Sequence, residues 1–206
     1  MKKQNTRFLA ICLLLALFGV IAVAVQSGVI LPLEQRVYVS VSEYINPTLT
    51  NVVTFVTTIG SASVVTAIVL FLCLVPRLRP MFGIQPVLTL TFSVGLNTLL
   101  KRVFARERPD ILLRLIPEHG FAFPSGHAMN NAALYATIAI VVFRHTQNEK
   151  THIIVILFSA FATVCIGLSR IYLGVHHPSD VLAGWTLGIA VALSFDTLLH
   201  SKRGKH

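Results

Sequence analysis

Long apolar runs separated by short polar connections make up most of the chain. The first run, Phe8–Val25, holds 18 residues without a charge, which is long enough for a helix that spans a bilayer. By the same criterion we predict further spans over Asn51–Val75, Phe82–Leu100, Ala128–Phe143, Ile153–Leu168 and Val181–Leu199. The pattern therefore predicts an all-α integral membrane bundle of six transmembrane helices, formed by a single domain over residues 1–206.

A segment of mixed pattern follows the first apolar run. Over Leu31–Thr50, apolar residues alternate with charged ones such as Glu34, which is typical of an amphipathic helix at the membrane interface. We expect Tyr38 and Tyr44 of this interfacial helix to lie at headgroup depth. In the second predicted span, the small residues of Gly60–Ser63 allow another helix to approach closely.

The composition indicates a membrane protein and limits the partners. Hydrophobic residues make up 54% of the chain and charged residues 12%, whereas a soluble domain carries about 25% charged residues. The mean hydropathy is +0.75. The formal net charge of +9 could suggest nucleic-acid binding, but the basic residues interrupt the apolar runs and form no stripe. We therefore expect the lipid bilayer and no nucleic acid as a partner, and the oligomeric state stays open.

The first apolar run has an alternative interpretation as a secretory signal peptide. Ala22-Val23-Ala24 resembles a cleavage site for such a peptide. The run is longer than the usual apolar core of a signal peptide, and no soluble domain follows it. Both observations favour a membrane span.

The distribution of Lys and Arg predicts the orientation of the helices. If the N-terminus is cytoplasmic, ten of the 17 basic residues fall on the cytoplasmic side, and acidic residues nearly cancel the outer seven. The positive-inside rule therefore favours cytoplasmic N- and C-termini. The polar connections after spans three and five then share the outer face, where charged clusters from distant parts of the sequence can meet.

Two such clusters lie in the connection between spans three and four. In the first, Lys101 and Arg108 are seven residues apart and would share a face if the segment were helical. In the second, Ser125 is suited to cap the next helix, and Gly126 lets the backbone approach an anion at the helix N-terminus. His127 is then placed to donate a proton. Taken alone, the first cluster could be snorkelling bases and the second an ordinary helix cap.

The third cluster, Ser169–Asp180, separates the last two predicted spans. Charge close to a bilayer is unfavourable and usually indicates a site. His176 and Asp180 are four residues apart, so the carboxylate can hold the imidazole if the turn is helical. Arg170 offers a planar cation suited to a phosphate or carboxylate. His177, three residues before Asp180, is an alternative partner for the same carboxylate.

The three clusters together resemble the signature motifs of the type 2 phosphatidic acid phosphatase superfamily. The first motif is Lys, six residues and Arg-Pro; the second is Pro-Ser-Gly-His; the third is Ser-Arg, five residues, His, three residues and Asp. This chain matches them in order and spacing at Lys101, Arg108, Pro109, Pro124, Ser125, Gly126, His127, Ser169, Arg170, His176 and Asp180. Before residue 101 the chain resembles the family only in its number of helices.

The resemblance implies a role for the motif residues. His176 is the nucleophile that forms a phosphohistidine, Asp180 orients it, and His127 is the general acid. A phosphate-binding set would hold the phosphoryl oxygens: Lys101, Arg108, Ser125, Gly126 and Arg170. The three cations of this set can replace a metal ion, so no cofactor and no metal ligand are expected.

Other polar residues near the motifs are expected to be structural. We expect Arg106 to lie on the loop surface, within reach of headgroups, and His177 at the rim of the site. Asp196 is expected at the membrane interface, near the inner end of the last span. Three asparagines are expected to form hydrogen bonds between helices: Asn97, Asn130 and Asn131.

The resemblance implies an integral membrane phosphatase that acts at the outer face of a bacterial inner membrane. Small bacterial members of the phosphatidylglycerophosphatase B and undecaprenyl-diphosphatase kind act on phosphatidylglycerol phosphate, undecaprenyl diphosphate, phosphatidic acid or diacylglycerol pyrophosphate, and the sequence does not rank these lipids. One alternative is a phosphotransferase that uses the same phosphohistidine, and another is a non-catalytic lipid-binding or transport protein. A third is a hydrolase with a metal ion bound by His127, His176 and His177.

Overall fold

The computed structural model describes residues 2–200, with side chains for residues 5–110 and 112–200. Within that range the regular structure is entirely helical. The helices are α1 Lys2–Gln26, α2 Leu31–Ser42, α3 Pro47–Ile59, α4 Ala62–Leu74, α5 Arg79–Phe82, α6 Gln85–Phe104, α7 Gly126–His145, α8 Glu149–Tyr172 and α9 Pro178–His200. A short 3-10 turn, Ile111–Leu113, lies in the connection between α6 and α7.

Five of the described helices are long and apolar enough to cross a membrane: α1, α6, α7, α8 and α9. A sixth span results if α3 and α4, which meet at an angle of 44°, cross it together. The predicted all-α, multi-pass membrane fold is therefore confirmed, while the count of six spans stays a prediction. Helix α8 extends beyond the apolar run that predicted it, so Arg170 lies in its last turn.

The predicted second span, Asn51–Val75, is not one straight helix. Helix α3 ends next to Gly60, and the chain bends by 44° into α4. The Gly60 carbonyl accepts a hydrogen bond of 2.8 Å from the Asn131 side chain of α7, so the break leaves it satisfied. A Cβ at Gly60 would collide with Ile166 Cγ2 of α8 and lie 3.1 Å from Asn131 Nδ2 of α7. The small residue therefore permits the close approach of other helices, α8 above all, as the sequence predicted.

The predicted interfacial helix, Leu31–Thr50, is shorter than expected. It ends early as α2, because Asn46 starts a new helix: its side chain accepts the Leu49 N–H at 2.9 Å as the N-cap of α3. Glu34 on α2 is only 1% exposed. This helix therefore turns a charged residue toward the protein instead of toward water.

Helices α7 and α9 form the centre of the bundle, and small residues bring them together. A Cβ at Gly184 of α9 would lie 2.8 Å from the Ser125 carbonyl oxygen and 2.9 Å from the Ala128 Cβ, closer than such contacts normally are. Because α9 approaches the α7 backbone so closely, the N-termini of the two helices lie side by side. The Ser125 N–H donates to the Asp180 carbonyl at 2.9 Å, which joins the second and third sequence clusters directly.

The opposite end of the bundle is held by an ion-pair cluster around Asp196. Arg7 of α1 and Arg144 of α7 contact its carboxylate at 2.6 and 2.5 Å. Asp196 is 1% exposed, so its side chain is covered by protein, while its expected depth at the membrane interface stays a prediction. Two arginines offset its charge in the interior, which is the condition under which a carboxylate tolerates burial.

The asparagines near the motifs link neighbouring helices, as the sequence predicted. Asn97 of α6 donates to the Pro124 carbonyl, just before α7, at 3.1 Å. The Ser93 hydroxyl of α6 donates to Asn130 of α7 at 2.7 Å. Together with the bond from Asn131 to Gly60, these contacts fix α7 against α3 and α6.

Candidate active site

The three sequence clusters meet at one end of the bundle, where α6 and α8 end and α7 and α9 begin. A cavity of about 210 Å³ lies there. Its polar side is lined by Lys101, Glu118, Gly126, His127 and His176. Residues of α4 and α6 supply an apolar side: Ala62, Val65, Leu90 and Val94. At least one residue from each predicted cluster therefore faces the same space.

His176 is held in one orientation through both of its ring nitrogens. Nδ1 lies 3.4 Å from Asp180 Oδ2, and Nε2 lies 3.2 Å from Arg108 Nη1. A guanidinium group can only donate, so Nε2 must accept and Nδ1 must carry the proton. The imidazole therefore has its lone pair on Nε2, with the Asp180 carboxylate behind it.

The surroundings of His176 keep its ring neutral. Burial lowers the pKa of His176 to about 4, although the adjacent Asp180 acts in the opposite direction. An ordinary histidine has a pKa of about 6.5. At a pH between these two values Nε2 of His176 stays unprotonated, whereas an exposed histidine becomes protonated.

We expect a protonation midpoint for His176 near pH 4. Because burial disfavours the charged ring, the midpoint lies below the ordinary value, and the ring becomes charged only as the pH falls through about 4. NMR of the protein labelled with nitrogen-15 histidine in micelles measures the midpoint, and the His176→Gln variant assigns the signal. A midpoint at about 6 or higher would contradict the neutral, buried ring.

Arg108 reaches the site from a loop and not from a helix. Helix α6 ends at Phe104, and Ala105 takes a left-handed conformation with a φ of 44°. The predicted helical face shared by Lys101 and Arg108 therefore does not form. Instead, the Arg108 guanidinium donates to three loop carbonyls: Gly120 at 2.9 Å, His119 at 3.0 Å and Val175 at 2.7 Å. These bonds fasten the connection before α7 to the segment that carries His176.

Glu118 is a site residue that the sequence interpretation missed. Its carboxylate forms an ion pair with Arg170 Nη2 and lies 3.6 Å from Arg108 Nη2. Arg170 is 1% exposed and donates from Nη1 to the Thr57 hydroxyl at 2.8 Å. Burial raises the pKa of Glu118, but the two guanidinium groups outweigh burial and hold that pKa below its ordinary value. Glu118 thus occupies an anion position between two arginines.

Ser125 and Gly126 begin helix α7. The Ser125 hydroxyl accepts the Ala128 N–H at 3.5 Å, which confirms the predicted N-cap. Ser125 is buried, whereas Gly126 lines the cavity. A Cβ at Gly126 would lie 3.0 Å from Asn97 Oδ1, so a side chain would crowd this wall of the cavity.

Arg106 does not lie on the loop surface, and His177 is largely covered. Arg106 pairs with Asp180 and with Glu34 of α2, both at 2.6 Å, and its side chain is 14% exposed. His177 Nδ1 lies 3.1 Å from the hydroxyl of Tyr38, which is also on α2. The prediction of a surface position for Arg106 is wrong because α2 packs over this side of the site instead of lying apart from it.

The histidines of the site are not arranged as a metal-binding group. His127 and His176 line the cavity, but His177 is directed toward Tyr38. Among residues 2–200, no three His, Cys, Asp or Glu side chains form a cluster that could hold a metal ion. The cavity instead offers the cationic Lys101 beside two histidines, and the Arg108 guanidinium contacts His176 at 3.2 Å, an arrangement suited to an anionic group.

Comparison with known proteins identifies the family. The family model described as the PAP2 superfamily matches residues 82–203. Phosphatidylglycerophosphatase B of Bacillus subtilis is 30% identical over 175 residues, which are 84% of this chain and 86% of that protein. Undecaprenyl-diphosphatase of Sulfolobus acidocaldarius is 31% identical over 147 residues, which are 68% of this chain and 66% of that protein.

A solved structure has the same fold. The crystal structure of a transmembrane PAP2 type phosphatidylglycerolphosphate phosphatase from Bacillus subtilis matches with a TM-score of 0.83 at 26% sequence identity, over 100% of both chains. The family model covers more than half of the chain, and the three motifs lie within it. The family resemblance seen in the sequence is therefore confirmed, and the chain belongs to the PAP2 superfamily.

Proposed function

We propose that this protein is an integral membrane lipid phosphatase that hydrolyses phosphomonoester or diphosphate headgroups. The observation that carries the proposal is the setting of His176. His176 lines the cavity with an unprotonated Nε2, and the Asp180 carboxylate lies 3.4 Å from Nδ1 on the other side of the ring. A neutral imidazole held by a carboxylate is an activated nucleophile, and the surrounding cations favour a phosphate as its target.

In the first step, Nε2 of His176 attacks phosphorus, and the bond between phosphorus and the leaving oxygen breaks. The ring becomes a cationic phosphohistidine because Nδ1 keeps its proton, and Asp180 stabilises that charge. His127, which lines the same cavity, donates a proton to the leaving oxygen. The lipid leaves as an alcohol, or as a monophosphate when the substrate is a diphosphate.

In the second step, water attacks the phosphohistidine. His127, now neutral, takes a proton from the water, and the bond between phosphorus and Nε2 breaks. Inorganic phosphate leaves, and His176 regains its lone pair. The protons balance, because His127 recovers in this step the proton that it gave in the first.

The phosphate-binding set holds the phosphoryl oxygens through both steps. Lys101, Arg108 and Arg170 supply three positive charges, and these stabilise the charge that spreads over the oxygens in the transition state. Ser125 and Gly126 contribute through the N-terminus of α7, where backbone N–H groups and the helix dipole favour an anion. The three cations provide the charge stabilisation that a metal ion gives in other phosphatases.

The apolar side of the cavity makes a lipid the expected substrate. Side chains of α4 and α6 form that side, so an alkyl chain can lie against them while its phosphate reaches His176. The two relatives are named a phosphatidylglycerophosphatase and an undecaprenyl-diphosphatase, which differ in the lipid but share a phosphate attached to it. We therefore assign a class of lipid phosphates and not a single lipid.

The site is proposed to face the outer side of a bacterial inner membrane. At the opposite end of the bundle, the described basic residues outnumber the acidic ones: Arg7, Arg77, Arg79, Arg144 and Lys150 against Glu149 and Asp196. The positive-inside rule therefore favours a cytoplasmic position for that end and for both termini. The predicted count of ten also includes Lys2 and Lys3, whose side chains are not described, and Lys202, Arg203 and Lys205, which lie outside the described residues.

A phosphate-release assay tests the proposal. Purified protein in mixed micelles is given phosphatidic acid, phosphatidylglycerol phosphate and undecaprenyl diphosphate, with a water-soluble sugar phosphate for comparison, each with and without a chelator. We expect release from the lipid substrates that the chelator does not reduce. Absence of release from every lipid phosphate would refute the proposal. If the substrates carry a labelled phosphate, label recovered on an added acceptor alcohol would indicate a phosphotransferase. Binding of the lipid without phosphate release would indicate a lipid-binding protein.

Glu118 has to leave its position when a phosphate binds, because both contact the same arginines. We expect Glu118→Gln to bind orthovanadate about tenfold more tightly, since the neutral amide competes less for Arg170 and Arg108. Inhibition constants at fixed pH and salt make the comparison. Glu107→Gln removes the same charge from an exposed position in the same connection and should leave the constant unchanged. Equal constants for the wild type and Glu118→Gln would show that the carboxylate does not occupy the anion position.

A further inference from the structure

The two oxygens of the Asp180 carboxylate have separate partners. Oδ2 accepts the His177 backbone N–H at 2.8 Å and lies 3.4 Å from His176 Nδ1. Oδ1 accepts from Arg106 Nη1 at 2.6 Å. The carboxylate therefore cannot rotate away from His176 without losing the ion pair to Arg106, and Asp180 is completely buried.

Arg106 is itself fixed by a closed ring of hydrogen bonds that reaches α2. Its Nη2 donates to Glu34 Oε2 at 2.6 Å, and its Nη1 also donates to the Ser179 hydroxyl oxygen at 2.7 Å. The Ser179 hydroxyl in turn donates to Glu34 Oε1 at 2.5 Å. Arg106, Ser179 and Glu34 thus form one buried unit next to Asp180.

We propose that Arg106 and Glu34 are positioning residues for the proposed reaction: their buried ion pair holds Asp180 in the orientation that supports His176. The inference rests on the proposed function, because it assigns these residues to the step in which His176 becomes cationic. It also means that α2 contributes a positioning residue to the site, although α2 precedes residues 82–203, the part of the chain that the family model matches.

The charges explain why both residues are needed. Arg106 alone would pair fully with Asp180 and weaken the negative field that Asp180 exerts on His176. Glu34 shares the guanidinium, so the three charged groups together keep a net charge of −1 next to the ring. That charge offsets the cation formed when Nε2 attacks phosphorus. Without Arg106, two buried carboxylates would face each other through Ser179, which is strongly unfavourable.

Helix α2 also contacts the backbone of the nucleophile. The Tyr38 hydroxyl donates to the His176 carbonyl at 3.1 Å. Burial, followed by the carboxylates of Asp180 and Glu34, raises the pKa of Tyr38, so its hydroxyl stays protonated and able to donate. Glu34 and Tyr38 are four residues apart on α2, so they lie on the same face of this helix. Through Glu34 that face holds Arg106 beside Asp180, and through Tyr38 it holds the backbone of His176.

The test uses the protonation midpoint of His176 as well as catalysis. The other charged or titratable groups around this ring are Asp180, Arg108, Arg170 and His127, together with Lys101 and Glu118, which line the same cavity. All of them are left in place in two variants. Glu34→Gln gives the whole Arg106 charge to Asp180, so the His176 midpoint should fall below that of the wild type. Arg106→Gln removes the cation, so the midpoint should rise. A purely structural role for the pair would not shift the midpoint in opposite directions.

The kinetic expectation follows from the same geometry. Because Arg106 and Glu34 do not line the cavity, both variants should lower kcat and leave KM nearly unchanged, Arg106→Gln by about ten- to a hundredfold. In the double variant Glu34→Gln/Arg106→Gln the charges disappear together, and the loss should be smaller than the product of the single losses. Glu43→Gln, an exposed acid just after α2, should behave like the wild type.

The outcomes separate this inference from the proposed function. If the wild type releases no phosphate, the proposed function fails, while the NMR midpoints still decide the positioning role. If the wild type is active but both single variants keep its kcat and its His176 midpoint, the positioning role is refuted alone. If Arg106→Gln does not fold, Glu34→Gln decides: a lower kcat together with a lower His176 midpoint supports the role, and wild-type values of both reject it.

Discussion

His176→Ala is expected to abolish phosphate release. The substitution removes Nε2, the atom that forms the covalent bond in the proposed reaction, and leaves Lys101 and His127 of the cavity in place. Removing a covalent nucleophile usually lowers kcat by roughly a thousandfold or more. The measurement is the release of labelled phosphate, together with the label that stays on the protein after a quench in alkali. The wild type should show both signals, and the variant should show neither.

Two matched variants make this result specific. His177→Ala should still acquire the label, because the His177 ring is directed toward Tyr38 at 3.1 Å. His152→Ala, at the far end of α8, removes a ring that stacks on Phe143 and should leave catalysis unchanged. Activity that survives in His176→Ala and disappears in His177→Ala would move the nucleophile to His177. It would also contradict the assignment of the Nε2 lone pair.

The helices could be predicted because the bilayer sets their length and polarity. Each predicted apolar run overlaps at least one described helix, and five of the described helices are long and apolar enough to span a membrane. The bend at Gly60 could not be placed in the same way. The Gly60 carbonyl at the bend is satisfied by Asn131, a residue 71 positions later in the chain, and hydropathy carries no information about such a contact.

The motif residues could be predicted from spacing, but their partners could not. Lys101, His127 and His176 line one cavity, as the resemblance implied, although their chemical roles stay predictions. Glu34 meets Arg106 over a separation of 72 residues, and no local pattern connects them. A charged residue on an interfacial helix is normally assigned to water, so the burial of Glu34 becomes visible only when α2 packs against α9.

Glu118 shows how charge pairing decides which residues belong to the site. The family motifs include bases of the connection between α6 and α7 but no acid of that connection, so Glu118 was not predicted to belong to the site. An acid in the same connection nevertheless indicates a counter-ion, because buried arginines require one when no substrate is bound. Glu118 provides that counter-ion for Arg170 and Arg108. A search for an acid among the motif bases could therefore have found it.

His127→Ala is expected to separate the two chemical steps. A lipid alkoxide is a poor leaving group, so loss of the general acid should lower the rate of lipid phosphate hydrolysis by roughly 10²- to 10⁴-fold. An aryl phosphate such as p-nitrophenyl phosphate releases a stable anion that needs no proton. With that substrate, attack by His176 should continue in the variant at a rate close to that of the wild type.

The second step should then become limiting, because water still needs a base to attack the phosphohistidine. Rapid mixing of His127→Ala with the aryl phosphate should give a burst of nitrophenol close to one equivalent per protein, followed by slow turnover. The label should accumulate on His176. His145→Ala, in the last turn of the same helix and distant from the cavity, is the control and should turn over without a burst. Equal losses for the lipid and aryl substrates without a burst would exclude proton transfer by His127 and leave it only a role in binding.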